Sequence, residues 1–439
     1  MKWELLLSDK RFGMERYTPI LPQHRSDFQR DYDRLIFSSP FRRLQNKTQV
    51  FPLPGKIFVH NRLTHSMEVA SVGRSIGSNI ARELRERYPS ELGDKLAEMG
   101  GIVAAACLAH DMGNPPFGHC GERAIGDYFK DGEGKELEDK VRQEGGRWED
   151  FLHFEGNANA LRLLTHQFAG RRPGGFALTY ATLASIVKYP WPSTQAGESG
   201  KLGFFHSEEE TYHRIAAELG ISAAAGRYAR HPLVYAVEAA DDICYQIMDI
   251  EDATKLHILS AKETRDLFFH FFQPAQRDRI SRNMLLVSDE NEQIAYLRAS
   301  VIGLLVEECT RVFVDHEQLM LAGTFPQPLI HAISPLPAQA YERCAEVALQ
   351  RIYSAKEVVD IELAGYPVFS RLISDLYGAL ENPSRAYSKV ILRRIPRQYD
   401  TSVRSTYGRI QCVLDYISGM TDLYALDLFH KLTGTTPSL

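Results

Sequence analysis

HDMGNPPFGHCGE, residues 110–122, decides how the rest of the chain is read. It follows GGIVAAACLA (100–109), an uncharged apolar run that fits a helix buried in a core. Pro115 and Pro116 cannot donate backbone hydrogen bonds, and each restricts the residue before it, so the helix must stop around Gly113–Asn114. His110 and Asp111 are thereby delivered side by side at a helix C-terminus.

Working outward, HSMEVASVGRSIGSNIARELRERY (65–88) follows Thr64, a candidate cap, and places Val69, Val72, Ile76, Ile80 and Leu84 on one helical face. His65 sits in the first turn of that helix. Downstream, Pro232 suits a first helical turn, and LVYAVEAADDICYQIMDIEDA (233–253) continues from it with two different faces. Val237, Ala240, Cys244, Ile247 and Ile250 can face a core. Glu238, Asp241, Tyr245, Asp249 and Asp252 line the other side at steps of three or four. The same spacing of apolar residues runs over most of the chain and two-residue alternation is scarce, so an all-α fold is expected, with further helices from about residue 256. Two charged or glycine-rich stretches, 130–148 and PWPSTQAGESGKLG (190–203), read as surface loops that could lie over a site.

Bulk properties exclude several classes. With 439 residues, 44% hydrophobic and 24% charged, the chain has the composition of a folded globular protein. A formal charge of -5 gives no global attraction to nucleic acid or an anionic membrane, so any basic site must be local. The six cysteines (Cys107, Cys120, Cys244, Cys309, Cys344, Cys412) form no C-x-x-C pair, which speaks for free thiols in a reducing compartment. MKWELLLSDKRFG at the start is too short in apolar length for a signal core, and no membrane association is expected. A cytoplasmic protein is the expectation.

A histidine on one helix, a His-Asp pair at the end of a second and an aspartate on a third can supply two nitrogens and two oxygens to one divalent ion. That donor set fits manganese, iron, cobalt or zinc, and magnesium if two positions hold water. Spacing alone leaves metal binding open against core or surface roles, because His-Asp dipeptides are common.

The surrounding words narrow the choice. HNRLTHS (60–66), HDMGNPPFGHCGE (110–122) and EAADDICY (238–245) resemble the bacterial dGTP triphosphohydrolases of the HD superfamily. The similarity extends through RRLQNKTQVF (42–51), FEGNAN (154–159), KYPW (188–191) and DYISGMTDLYALDLF (415–429), and so spans nearly the whole chain. The resemblance implies a helical HD-domain phosphohydrolase fold with additional C-terminal helices: residues 1–57 contributing to the substrate pocket, 58–255 forming the metal-dependent core, and 256–439 an associated helical region.

It also implies site residues. His65, His110, Asp111 and Asp241 would hold a divalent metal, magnesium or manganese first, with iron, cobalt, nickel or zinc as alternatives. Asp242 is the rival to Asp241; Asp241 is preferred because the family places a sugar-contacting tyrosine four residues after its ligand, where Tyr245 stands. Releasing intact triphosphate requires attack at the α-phosphorus and a proton for the departing 5′-oxygen, and the resemblance gives His119 and Glu122 that catalytic work. Arg62 and Lys188 would hold phosphates. Asn114 and Glu155 stand in matching words with less definite roles. Gln49 and Asp249 would bond the sugar 3′-hydroxyl, with Tyr245 and Tyr189 packed against the ring.

The expected substrate is a deoxynucleoside triphosphate, dGTP by family, and the expected assembly a homo-oligomer, tetramer or hexamer. A nucleotide effector or single-stranded DNA is a further possible partner. The basic stretch Arg385, Lys389, Arg393, Arg394, Arg397, Arg404 and Arg409 could serve it, although a solvated charge run is the default. Two alternatives stay open: another HD phosphohydrolase, a monophosphatase or phosphodiesterase with no need of Gln49, Tyr245 and Asp249, and a nucleotide- or DNA-binding regulator without turnover.

Overall fold

The computed structural model describes residues 1–16, 24–51, 59–224 and 227–435. The only strands among them are two-residue segments, 223–224 and 227–228, paired antiparallel; the rest is helix and connection. The all-α expectation holds. The helices that carry the site are α1 (Arg62–Arg85), α2 (Met99–Ala109), α3 (His119–Lys130), α4 (Gly156–Thr165), α5 (Pro232–Lys255), α6 (Glu290–Asp315), α7 (Lys356–Glu381), α8 (Thr406–Ser418) and α9 (Asp422–Thr433).

At the centre α1 packs along α2, and α5 packs against both, with α6 against α1 and α5. The apolar face read on α1 is inside: Val69, Ile76, Ile80 and Leu84 have no exposed surface and Val72 little. The start of α1 differs from the expectation. Asn61, not Thr64, is the cap: its Oδ1 accepts from the Thr64 amide at 3.0 Å while the Thr64 hydroxyl accepts from the Asn61 amide at 3.1 Å. This reciprocal box satisfies amides that would otherwise be orphaned, and it begins the helix at Arg62. α2 ends at Ala109 with His110 as its C-cap, four residues short of the Gly113–Asn114 limit set by the prolines, and α5 begins on Pro232 behind the His231 cap.

A further expectation needs correction. Residues 130–148 are not a surface loop but short helical turns, 133–137 and 138–143, that bury Val141 and Trp148. Trp148 lies edge-on to Phe129 and Phe151, and such aromatic burial outweighs the local glycine and charge content. On the polar side of α5, Glu238, Asp249 and Asp252 are buried: Arg230 pairs with Glu238, Tyr353 donates to Asp249, and His60 bonds Asp252.

Apolar residues gather into two cores. The larger surrounds α1, α2, α5 and α6 and takes in Trp3 and Leu6 from the N-terminus. The smaller joins α3 to α7, α8 and α9. Packing thus crosses the three-segment division at 1–57, 58–255 and 256–439, which stands as a proposal; its first boundary lies outside the described residues. All six cysteines are buried and unpaired. No described helix is long and apolar enough to cross a membrane.

Candidate active site

The core geometry of α1, α2 and α5 brings His65, His110, Asp111 and Asp241 together. The imidazole rings of His65 and His110 are 5.5 Å apart. Asp241 Oδ1 lies 3.2 Å from His65 Nε2 and 3.4 Å from His110 Nε2, and Asp111 Oδ1 is 3.6 Å from His110 Nε2. Donor atoms of His65, His110 and Asp111 all fall within 4.8 Å of one another.

The cluster fits a metal on one specific observation. His110 Nδ1 is bonded to the Cys107 carbonyl at 2.5 Å, which puts the ring proton there and leaves Nε2 as a lone pair. That Nε2 is buried and has no hydrogen-bond partner. A buried nitrogen acceptor left unpaired costs free energy unless something electrophilic meets it. The carboxylates are held ionised as a ligand set requires: burial opposes this, but Arg62 keeps Asp111 well below the usual carboxylate range, and Lys188 does so for Asp241. Arg62 donates to Asp111 Oδ2 at 2.7 Å, Asn114 to Asp111 Oδ1 at 2.6 Å, and Lys188 to Asp241 Oδ2 at 2.6 Å. Asp242 lines the same cavity, yet burial pushes its carboxyl up to about 8, and no described histidine is bonded to it. The geometry therefore favours Asp241 over Asp242 as the oxygen donor.

Between Asp111 and His119 the chain makes a strained turn. Phe117 has φ of 61° and Gly118 φ of 58°, a region that costs a non-glycine residue about 1–3 kcal/mol. Contacts from elsewhere hold it. Asp422, at the start of α9, accepts from the Phe117 amide at 3.0 Å and the Thr48 amide at 2.8 Å, and buried Lys47 donates to the carbonyls of Asn114 (2.5 Å) and Ser418 (2.7 Å). A Cβ at Gly118 would collide with the Arg62 guanidinium, so glycine is needed there for space as well as for φ.

The turn opens α3 with His119 facing the cavity. Its Nδ1 is 2.7 Å from Glu122 Oε2, and Glu122 Oε1 accepts from the Gly156 amide at 2.7 Å. The Glu122 charge raises the His119 pKa; burial of Glu122 opposes its ionisation, but His119 holds it below the usual range. The pair thus favours the protonated form of His119 at the lining of the cavity.

One cavity of about 290 Å³ takes in Gln49, Arg62, His65, His110, Asp111, Asn114, His119, Glu122, Lys188, Tyr189, Asp241 and Tyr245. Gln49 Oε1 is buried there without a partner. Asp249 is the exception among the expected residues. It does not line the cavity: its Oδ2 accepts from the Tyr353 hydroxyl at 2.8 Å, while the Tyr353 ring stacks on Tyr245 at 5.8 Å. The basic residues of 385–409 do not line it either, and most of them are solvent-exposed.

Three lining residues were not singled out, or were left without a role. Lys201, from the 190–203 loop, donates to Glu155 Oε1 at 2.7 Å, and Asn157 bonds both Glu155 oxygens. The loop's position over the cavity gave a signal for Lys201, since a lone lysine in a covering loop is a phosphate candidate. Tyr353 had none, because its helical turn lies about a hundred residues beyond Asp249 in sequence.

The HD domain family matches residues 62–170, and the phosphohydrolase-associated domain matches 332–431. A deoxyguanosinetriphosphate triphosphohydrolase-like protein of Pseudomonas aeruginosa is 37% identical over all of both chains, and one of Synechocystis is 38% identical over 99% of each. A deoxyguanosinetriphosphate triphosphohydrolase of Yersinia enterocolitica is 33% identical over 92% of this chain and 93% of its own.

Proposed function

This chain belongs to the deoxyguanosinetriphosphate triphosphohydrolase family of the HD superfamily and is a phosphohydrolase, and from that premise we propose that it cleaves deoxynucleoside triphosphates, dGTP first, into deoxynucleoside and inorganic triphosphate. The supporting observation is the layout of the cavity: the orphaned His110 Nε2 and its neighbouring carboxylates stand in one cavity with the His119–Glu122 pair and with Tyr245. A monophosphatase would have no use for as many cations as Arg62, Lys188 and Lys201 bring to one cavity, or for the stacked tyrosines beside it.

His65, His110, Asp111 and Asp241 would hold a divalent cation, magnesium or manganese. When bound it would act as a Lewis acid toward the α-phosphate and make hydroxide accessible near neutral pH. The residues supply the rest. Arg62, Lys188 and Lys201 neutralise the triphosphate and the charge that builds on it. Water oxygen bonds to the α-phosphorus as its proton passes to solvent, the bond from that phosphorus to O5′ breaks, and O5′ leaves with the electron pair. His119 Nε2 delivers the proton that O5′ needs, and Glu122 stabilises the imidazolium beforehand. Gln49 is placed to bond a sugar hydroxyl, with Tyr189 and Tyr245 as apolar walls that leave no room for a 2′-hydroxyl. Asn114 steadies Asp111.

Assembly into a homo-oligomer, a tetramer or hexamer, belongs to the same proposal; Leu349 and Leu363 are large apolar side chains left exposed for it. The test is incubation of the purified protein with each dNTP and NTP plus magnesium or manganese, with products separated by anion exchange. Deoxynucleoside and intact triphosphate are expected from dNTPs, with little turnover of NTPs. Pyrophosphate or orthophosphate as the first product would overturn the reading.

A further inference from the structure

We propose that a second cavity, on the other side of the 111–118 loop from the candidate active site, binds a phosphate-bearing anion and that its occupancy is felt by that loop. Asp111 and Asn114 face the first cavity; Met112 between them faces the second. The second cavity is about 180 Å³, well above the roughly 10–15 Å³ that one water needs in the same measure.

Its charge is one-sided. Arg43, Lys47 and Arg171 line it, and no described carboxylate forms an ion pair with either arginine. The one lining carboxylate, Asp415, is already engaged by Arg162 through two bonds of 2.7 Å. Arginines are ordinarily solvated when unpaired, but Arg43 is half-buried, and burial together with neighbouring Arg171 depresses its pKa. Two guanidinium groups that repel each other in a concave site are satisfied best by one oxyanion, which each can meet with paired N–H donors.

A second, independent observation points the same way. Ser418 lines this cavity, is 4% exposed, and its hydroxyl has no hydrogen-bond partner. A buried hydroxyl without a partner is rare in a folded protein unless a ligand or water completes it, and here it can donate to an anion's oxygen. Lys47 spends two N–H bonds on the carbonyls of Asn114 and Ser418; burial lowers its pKa to about 7, and an anion in the cavity favours the charged form, which has a third N–H to offer.

The connection to the loop is direct. Lys47 holds the Asn114 carbonyl and Asn159, another lining residue, donates to the Gly113 carbonyl at 2.6 Å. An anion bonded to the third N–H of Lys47 pulls on the ammonium that fixes Asn114, and Asn114 in turn orients Asp111. The binding half of this proposal stands apart from the hydrolase reading; the coupling half rests on it.

The experiment uses the full chain, stripped of metal, and measures binding of orthophosphate, inorganic triphosphate and a deoxynucleoside triphosphate by equilibrium dialysis. It compares wild type, Arg171→Glu and Arg43→Gln, together with Lys188→Ala to weaken the first site. Arg171 is exposed at the rim, so Arg171→Glu keeps the fold even if Arg43→Gln does not. Expected is a second class of sites that survives Lys188→Ala and loses at least tenfold in affinity in Arg171→Glu. Occupancy should change hydrogen exchange of the amides in 111–118 in wild type but not in Arg171→Glu. Equal affinity for orthophosphate and the nucleotide identifies free phosphate as the ligand; a tenfold preference for the nucleotide identifies a nucleotide. A single class of sites abolished by Lys188→Ala, or unchanged affinity in Arg171→Glu, would overturn the site. Binding without any change in loop exchange would overturn the coupling.

Discussion

The two ends of the candidate active site are built differently. At the end proposed to hold the metal, His65, His110, Asp111 and Asp241 come from helices that pack on one another, and their polar atoms meet one another and the buried cations Arg62 and Lys188. At the end proposed to take the sugar, Tyr245 is covered by Tyr353, which comes from a later part of the chain and donates to Asp249 behind it. The first end is a property of the helical core. The second exists only once the C-terminal helices have docked, so chemistry and sugar selection should be separable by mutation.

The largest separation is expected at the metal end. Asp241→Ala should abolish uptake of the divalent ion and reduce turnover by at least about a thousandfold, since both the Lewis acid and its carboxylate go. Asp242→Ala should retain the ion. Metal analysis after gel filtration compares them, and equal retention by both variants would reverse the ligand assignment. His119→Ala should keep the metal and lose about a hundredfold to ten-thousandfold in kcat, the range for a positioned acid.

A smaller effect should mark the sugar end. Tyr353→Phe removes the hydroxyl that donates to Asp249 and leaves the ring stack in place. Loss of that bond loosens the Tyr353 ring that stacks on Tyr245, so KM for dGTP should rise a few-fold with kcat nearly unchanged. Steady-state kinetics with dGTP and GTP reads this. A fall in kcat at constant KM would mean that Tyr353 serves the chemistry instead.

A further effect is on stability, at the joint between the two ends. His60 bonds Asp252 through both its amide (2.8 Å) and Nδ1 (2.7 Å), and its Nε2 is 3.0 Å from Glu68. Burial lowers the His60 pKa, but the bonds to Asp252 and Glu68 outweigh it and raise it to about 10. A base with a raised folded pKa contributes its full stability below its unfolded value of about 6.5 and loses it as pH climbs toward the folded value. The wild type should therefore lose urea resistance relative to His60→Gln between pH 6.5 and 10. A constant difference between the two over that window would show that His60 is uncharged in the folded protein.

The metal end was readable in sequence because proline, helix period and residue chemistry all act locally. Pro115–Pro116 fixed where α2 stops, and the buried face of α1 set where His65 points. Asp241 and Asp249 share a helix face, as the eight-residue step requires, but their surroundings differ, because the cover over Asp249 comes from Tyr353, far along the chain. The 130–148 segment shows the same limit from the other side: its charges and glycines describe a loop, and only the aromatic cluster around Phe129 and Phe151 explains why Trp148 is buried. Arg162–Asp415 and Lys47–Ser418 explain why a word as distant as DYISGMTD matters to the loop at 113–118.

Hydrolysis of dGTP in water enriched in oxygen-18, followed by mass spectrometry of both products, tests the reaction most directly. Attack at the α-phosphorus predicts one heavy oxygen in the inorganic triphosphate and none in the deoxyguanosine. Heavy oxygen in the 5′-hydroxyl of the nucleoside, or in released orthophosphate or pyrophosphate, would contradict it.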